Sequence, residues 1–179
     1  MCKLTIVPSE GSVSSEERTA LLGQKGVIIW LTRLSASGKS TIACALEQHL
    51  LHLHKNSYRL DGDNVRFGLN KDQEMRTSIS KIFANSASIT ITAFISPYHI
   101  HEKALFPFVE VFVDAPLHVV EQCDPKSLYK KARAEFMGIS APYEAPENPE
   151  IHIDTLVTDV VESVRIITDS LMSKGYISV

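Results

Sequence analysis

The run Gly26-Val27-Ile28-Ile29-Trp30-Leu31 is uniformly apolar, and after Thr32 it gives way to Arg33-Leu34-Ser35-Ala36-Ser37-Gly38-Lys39-Ser40 and then to a helical stretch, Thr41 to Leu53. A buried strand, a short polar loop and a helix in that order constrain the fold more than any other segment. They aim the loop's N–H groups and the positive end of the helix at one spot. Successive amides at such a spot surround a phosphate, the Lys39 ammonium reaches the β and γ oxygens of a nucleotide, and the Ser40 hydroxyl ligates Mg2+. The octet is a P-loop with arginine at its first glycine position. Glycine is ordinarily used there because a tight turn begins at that residue. An arginine is accommodated if its φ is negative and its side chain points to solvent. Otherwise the loop stores about 1–3 kcal/mol of strain and its amides are misaimed, as in an eroded loop that no longer holds phosphate.

At 179 residues and 44% hydrophobic content the chain can bury one substantial core and is short for two. The expected organisation is an N-terminal extension over 1–24, loosely ordered up to about Ser15, and one nucleotide-binding domain over 25–179. A formal charge of -3 and a pI near 6.2 provide no basic field, which argues against a dedicated nucleic-acid or membrane-surface protein while leaving a local anion pocket open. Three cysteines, Cys2, Cys44 and Cys123, have no metal-ligand spacing and no disulfide framework; a reducing compartment, the cytoplasm, suits them. Cys44 is expected to pack. The first residues carry no secretory or organellar pattern, and the longest apolar runs fall short of a membrane span.

Periodicity yields an α/β reading. Strands are expected at Gly26 to Leu31, Ser57 to Leu60, Ile89 to Phe94 and Phe108 to Val113, with a short alternating candidate at Ile151 to Ile153. Helices are expected at Thr41 to Leu53, Met75 to Ser86, Pro116 to Cys123 and Thr158 to Lys174. Buried runs alternating with helices imply a parallel sheet covered on both faces, whose ligands gather at the carboxyl ends of the strands. Ser35 to Ser40, Asp61 to Arg66, Ser96 to Tyr98 and Asp114 all fall at such ends.

Each of these segments carries a chemical and a plain reading. Asp61-Gly62-Asp63-Asn64-Val65-Arg66 offers two carboxylates and a guanidinium after a strand. A carboxylate there accepts the proton of an attacking hydroxyl or supports Mg2+, and the guanidinium clamps an acceptor phosphate. The plain reading is an Asx turn capping a helix at Asn64. Ser96-Pro97-Tyr98 is either part of a site or an ordinary exit from a strand. Lys126, Lys130, Lys131 and Arg133, ahead of a Gly/Pro loop, form either a lid over phosphate or a solvated helix face. His49, His52 and His54 suit the negative end of a helix better than a metal site.

On these residues the chain resembles the adenylylsulfate kinases (APS kinases) of fungal type, from about Gly26 to the C-terminus. The likeness is carried by Ile29-Trp30-Leu31-Thr32, Leu34 to Thr41, Tyr58 to Asp72, Phe94 to Tyr98, Val109 to Pro116, Asp124 to Arg133 and Gly138 to Pro146. The resemblance implies a three-layer α/β fold of the P-loop nucleoside-triphosphate-hydrolase type with a mostly parallel sheet. It implies transfer of the ATP γ-phosphate to the 3′-hydroxyl of adenosine 5′-phosphosulfate (APS), giving PAPS in sulfate assimilation, in a homodimer; the charge balance leaves neither nucleic acid nor membrane as an expected partner. Residues Arg33, Leu34, Ser35, Ala36, Ser37, Gly38, Lys39, Ser40 and Thr41 would hold the nucleotide, with Ser40 and Asp61 at Mg2+. Asp63 would orient or deprotonate the 3′-hydroxyl, and Asn64, Arg66, Ile95, Ser96, Lys126 and Phe136 would line the acceptor site. Family pattern also marks Ser96 as a phosphoserine intermediate; direct in-line transfer explains the same chemistry with Ser96 as a contact.

The departures are equally specific. Besides Arg33, the chain is shorter than the family pattern between Asp72 and Lys81, after Tyr98 and between Arg133 and Phe136. The lost segments would carry an aromatic stacked opposite Phe136 and an arginine and asparagine on the phosphosulfate. Each lost charge-assisted hydrogen bond is worth about 1.5–3 kcal/mol. Arg76 is the candidate to replace part of that clamp, and Cys123 and Ser127 stand where arginine and glycine are usual. These departures keep two alternatives in view: a catalytically impaired nucleotide-binding or regulatory module, and a kinase of another small hydroxyl acceptor.

Overall fold

A computed structural model describes residues 12–33, 36–61, 73–93, 106–116 and 145–178, with the backbone alone for 61 and 73–78. Five strands, β1 (Val27–Thr32), β2 (Ser57–Asp61), β3 (Ile89–Ala93), β4 (Phe108–Asp114) and β5 (Ile151–Asp154), form one sheet in the order β2-β3-β1-β4-β5. All four pairings are parallel. The register sets Leu31 and Asp61 opposite Ala93, Thr32 opposite Phe112, and Asp114 opposite Asp154, so the strands' carboxyl ends share one edge. The short alternating segment at Ile151 is therefore a strand, buried at Ile151 and Ile153 and open at His152 and Asp154.

Four helices are described: α1 (Ser15–Leu22), α2 (Lys39–His52), α3 (Gln73–Asn85) and α4 (Val160–Ser173). The last three match the expected helices to within two residues at each end, which is the usual fraying of boundaries. The helix expected from Pro116 lies, beyond that residue, outside the described residues.

Helix α1 went unnamed in the sequence. It buries no residue, so it has no apolar stripe to read. What makes it is local: Ser14 Oγ accepts from Glu17 N at 3.2 Å and Glu17 Oε2 accepts from Ser14 N at 2.8 Å. That reciprocal pair is a capping box, and Gly23 closes the helix in the left-handed region at φ 60°.

The sheet is covered on both sides because its strands are apolar on both. Val27, Ile29 and Leu31, with Ile89, Ile91 and the valines of β4, pack against Ile42, Leu46 and Leu50 of α2 and Val164, Ile167 and Leu171 of α4. On the opposite face Ile28, Trp30 and Leu60 meet Ile79, Phe83 and Ala84 of α3. Each such large apolar side chain contributes about 1.5–3 kcal/mol on burial. Cys44 does not join them. Helix α2 turns Ile42, Ala43, Leu46 and Leu50 inward, and Cys44, off that stripe by the 100° helical step, is exposed.

The amino ends of the strands are tied tightly. Gln24 is buried, and its amide donates to the carbonyls of Asn56 and Ala87 at 2.8 Å each while accepting from Asn56 N at 2.7 Å. The segments entering β1, β2 and β3 are thereby joined by one side chain. At Gly26 a Cβ would stand 1.8 Å from the Ala84 carbonyl oxygen, so only glycine lets α3 approach β1 this closely.

Candidate active site

The loop after β1 is shaped by backbone conformations that side chains resist. Ala36 has φ 62° and Gly38 has φ 91° with ψ -1°, the latter as the N-cap residue of α2. Gly38 contributes its carbonyl to Ile42 N at 3.0 Å, and no side chain caps the helix. The first turn of α2 contains no acidic residue, so nothing within it competes with an anion for the helix amides.

Lys39 is the first residue of α2 and only 6% exposed. Its ammonium donates to Ser37 Oγ at 3.3 Å, and Ser37 is itself buried. Burial first, and the positive charge of Arg33 second, push the Lys39 pKa down from 10.5 to about 7. Near neutral pH this cation is therefore divided between its charged and neutral forms, and an incoming phosphate would favour the charged one. Ser40 and Thr41 follow on the exposed side of the same turn. A serine hydroxyl here is a hard oxygen donor of the kind Mg2+ takes, so the residues present fit that ion.

Arg33 avoids the strain that its sequence position threatened, because its φ of 159° is extended backbone that any residue adopts, but its side chain, 16% exposed, does not point to solvent. The guanidinium lies at the end of β4, with Nη2 donating to the Ala115 carbonyl at 2.7 Å and standing 3.2 Å from Asp114 Oδ1. Its Cζ is 5.3 Å from the centroid of the Phe112 ring. Asp114 is shared: its Oδ2 lies 3.3 Å from Nε2 of His152, whose ring is 5.2 Å from that of Phe112.

Of the residues expected to form the site, Arg33, Ala36, Ser37, Gly38, Lys39, Ser40 and Thr41 come together between β1 and α2. Asp61 ends β2 on the same sheet edge, one strand removed from β1. Leu34, Ser35, Asp63, Asn64, Arg66, Ile95, Ser96, Lys126 and Phe136 lie outside the described residues. The Asp114 and His152 contacts escaped sequence reasoning; Ala115, which receives the same guanidinium, is 82 residues from Arg33 in the chain, and only the β1–β4 pairing brings them together. Among the described residues no cluster of three or more His, Cys, Asp or Glu side chains could hold a metal, and no helix is long and apolar enough to cross a membrane.

A family model described as adenylylsulphate kinase matches residues 25–154, most of the chain and all of the sheet. The chain belongs to the adenylylsulfate kinase family. Its similarity to the adenylyl-sulfate kinase of Saccharomyces cerevisiae is 52% identity over 93% of this chain and 94% of the relative. The Emericella nidulans adenylyl-sulfate kinase is 49% identical over 95% and 97%. In structure, the Mycobacterium tuberculosis APS kinase CysC, solved in complex with AMPPNP and APS, is similar with a TM-score of 0.75 and 32% identity over 83% of this chain and 99% of that one. The expected α/β class with its parallel sheet between helical layers is thus the class of this APS-kinase-family chain.

Proposed function

We propose that this chain transfers the γ-phosphoryl group of ATP to the 3′-hydroxyl of adenosine 5′-phosphosulfate, releasing ADP and PAPS. The observation that carries the reading is Lys39: a buried ammonium at the first residue of α2, directly after a left-handed glycine, in a family member. In this reading the amides of residues 36–41 receive the β-phosphate, and the family sequence pattern adds Leu34 and Ser35 to the nucleotide-binding residues. Lys39 neutralises charge on the β and γ oxygens as it builds during transfer. Ser40 and Asp61 are the residues that would hold Mg2+, which when bound draws charge from the phosphates. Asp63 orients the 3′-hydroxyl and accepts its proton as the new P–O bond forms and the bond to ADP breaks. Asn64, Arg66, Ile95, Ser96, Lys126 and Phe136 bind the acceptor, with Ser96 a contact; the family sequence pattern supports these roles.

The reaction is assigned to the cytoplasm on the three dispersed cysteines, and the working unit to a homodimer, twice 19.9 kDa, which sedimentation equilibrium checks. The function itself is tested with purified chain, Mg·ATP and APS, following PAPS by anion-exchange chromatography. PAPS well above a Lys39→Ala control is expected. A folded chain that binds ATP and yields no PAPS would replace this reading with that of a silent nucleotide-binding module.

A further inference from the structure

Arg33 poses a steric and electrostatic problem that the sheet edge answers. A guanidinium at the first position of a phosphate loop has two places to go: into the cradle, where it competes with phosphate and repels Lys39, or away from it. Three of its contacts lie at the end of β4: the Asp114 carboxylate at 3.2 Å, the Ala115 carbonyl at 2.7 Å and the face of the Phe112 ring at 5.3 Å. The arginine side chain is largely buried and the Asp114 side chain half-open, so water screens the ion pair in part, and the Ala115 carbonyl and Phe112 ring add to the hold. Asp114 is held in turn from β5, where His152 Nε2 stands 3.3 Å from its other oxygen, and from below, where its own carbonyl accepts from Thr155 N and Thr155 Oγ1 at 2.9 Å each. Adjacent strands β1, β4 and β5 are stitched together at the edge where the loop departs.

We propose that Asp114 is a positioning residue for the phosphate loop, acting through Arg33: its carboxylate, with the Ala115 carbonyl and the Phe112 ring, draws the guanidinium to the end of β4 and keeps it out of the phosphate cradle. The inference rests on the reading of 36–41 as that cradle. It explains how a chain with arginine in place of the loop's first glycine keeps a nucleotide site, and it predicts coupling between two residues that no shared ligand contact requires.

The test is a double-mutant cycle in the full chain, read by calorimetric Kd for Mg·AMPPNP, KM for ATP and KM for APS, with melting temperatures alongside. Asp114→Asn is expected to weaken AMPPNP binding and raise KM for ATP by about tenfold while KM for APS moves less than about threefold. In the Arg33→Gly background the same Asp114→Asn change is expected to cost less than about twofold, because there is no guanidinium left to restrain. An equal loss in both backgrounds, or no loss in either, overturns the proposal. Should Asp114→Asn fold poorly, Phe112→Leu perturbs the same anchor more gently: about a threefold loss with Arg33 present and none in Arg33→Gly supports the proposal, and equal losses overturn it. Lys39→Ala separates this from failure of the cradle itself. If that variant binds AMPPNP as tightly as the parent chain, the cradle reading falls, whatever the Arg33 and Asp114 cycle gives.

Discussion

The two edges of the sheet are built on opposite terms. Where the chain enters β1, β2 and β3 the ties are neutral: the Gln24 amide makes three hydrogen bonds to the backbone of Asn56 and Ala87, and Gly26 lies against the Ala84 carbonyl. At the carboxyl ends the charges collect: buried Lys39, tethered Arg33, Asp114 with His152 beside it, and Asp61 at the end of β2. A neutral, closely fitted edge favours the folded state, whereas an edge with a desolvated ammonium weighs against it in return for a place to bind an anion. Changes at the first edge should therefore be read in stability, and changes at the second in nucleotide affinity and turnover.

The largest expected effect is at the charged edge. Lys39→Ala should lower kcat/KM for ATP by roughly 100- to 1,000-fold with a melting temperature equal to or above that of the parent chain, measured by coupled ADP assay and calorimetry. A comparable drop in melting temperature would blur the division between the edges. At the neutral edge Gly26→Ala, which brings a Cβ to 1.8 Å from the Ala84 oxygen, should reverse the pattern. It is expected to cost about 3 kcal/mol or more, near a 10 °C fall in melting temperature, with KM for ATP unchanged in the fraction that remains folded. Gln24→Ala strips the side-chain donor from the buried Ala87 carbonyl and the acceptor from the part-buried Asn56 N–H, while the Asn56 carbonyl keeps Ile89 N, and should cost about 2 kcal/mol by urea titration.

The proton on Lys39 links the two properties, stability and affinity, at the charged edge. Its folded pKa, about 7, lies below its ordinary 10.5, so between those values the unfolded chain binds more protons and the Lys39 contribution to stability improves as pH rises. Binding runs the other way. Phosphate favours the ammonium, so affinity for Mg·AMPPNP should fall as pH climbs from about 7 to about 9, by up to roughly tenfold per pH unit, and Lys39→Met should flatten that slope. The smallest effect is reserved for His152→Ala, which leaves Asp114 its arginine. A 55% exposed histidine contact of this kind should alter KM for ATP by less than about twofold.

How legible these edges were in the sequence follows the range of the forces that made them. The strands of the sheet and the helices α2, α3 and α4 were readable because Val27 to Thr32, Ile89 to Ala93, and Val164, Ile167 and Leu171 carry their burial in a local period. The loop from Ala36 to Thr41 was readable because Gly38, Lys39 and Ser40 are neighbours whose chemistry is set by the chain itself. Cys44 runs against its residue type because burial on a helix is set by the side a residue occupies, and it lies off the inward stripe of α2. Helix α1 was missed because it rests on a cap, Ser14 with Glu17, and buries nothing. The direction of Arg33 could not be read either, since its partners come from β4 and the neighbouring β5 completes the arrangement.

Calorimetric titration of Mg·AMPPNP into the parent chain and Lys39→Met, near pH 8 and in two buffers of different ionisation heat, probes the charged edge most directly. Saturable binding with net proton uptake is expected of the parent chain, and weaker binding without that uptake of Lys39→Met. Equal affinity and equal proton exchange in the two proteins would contradict that expectation.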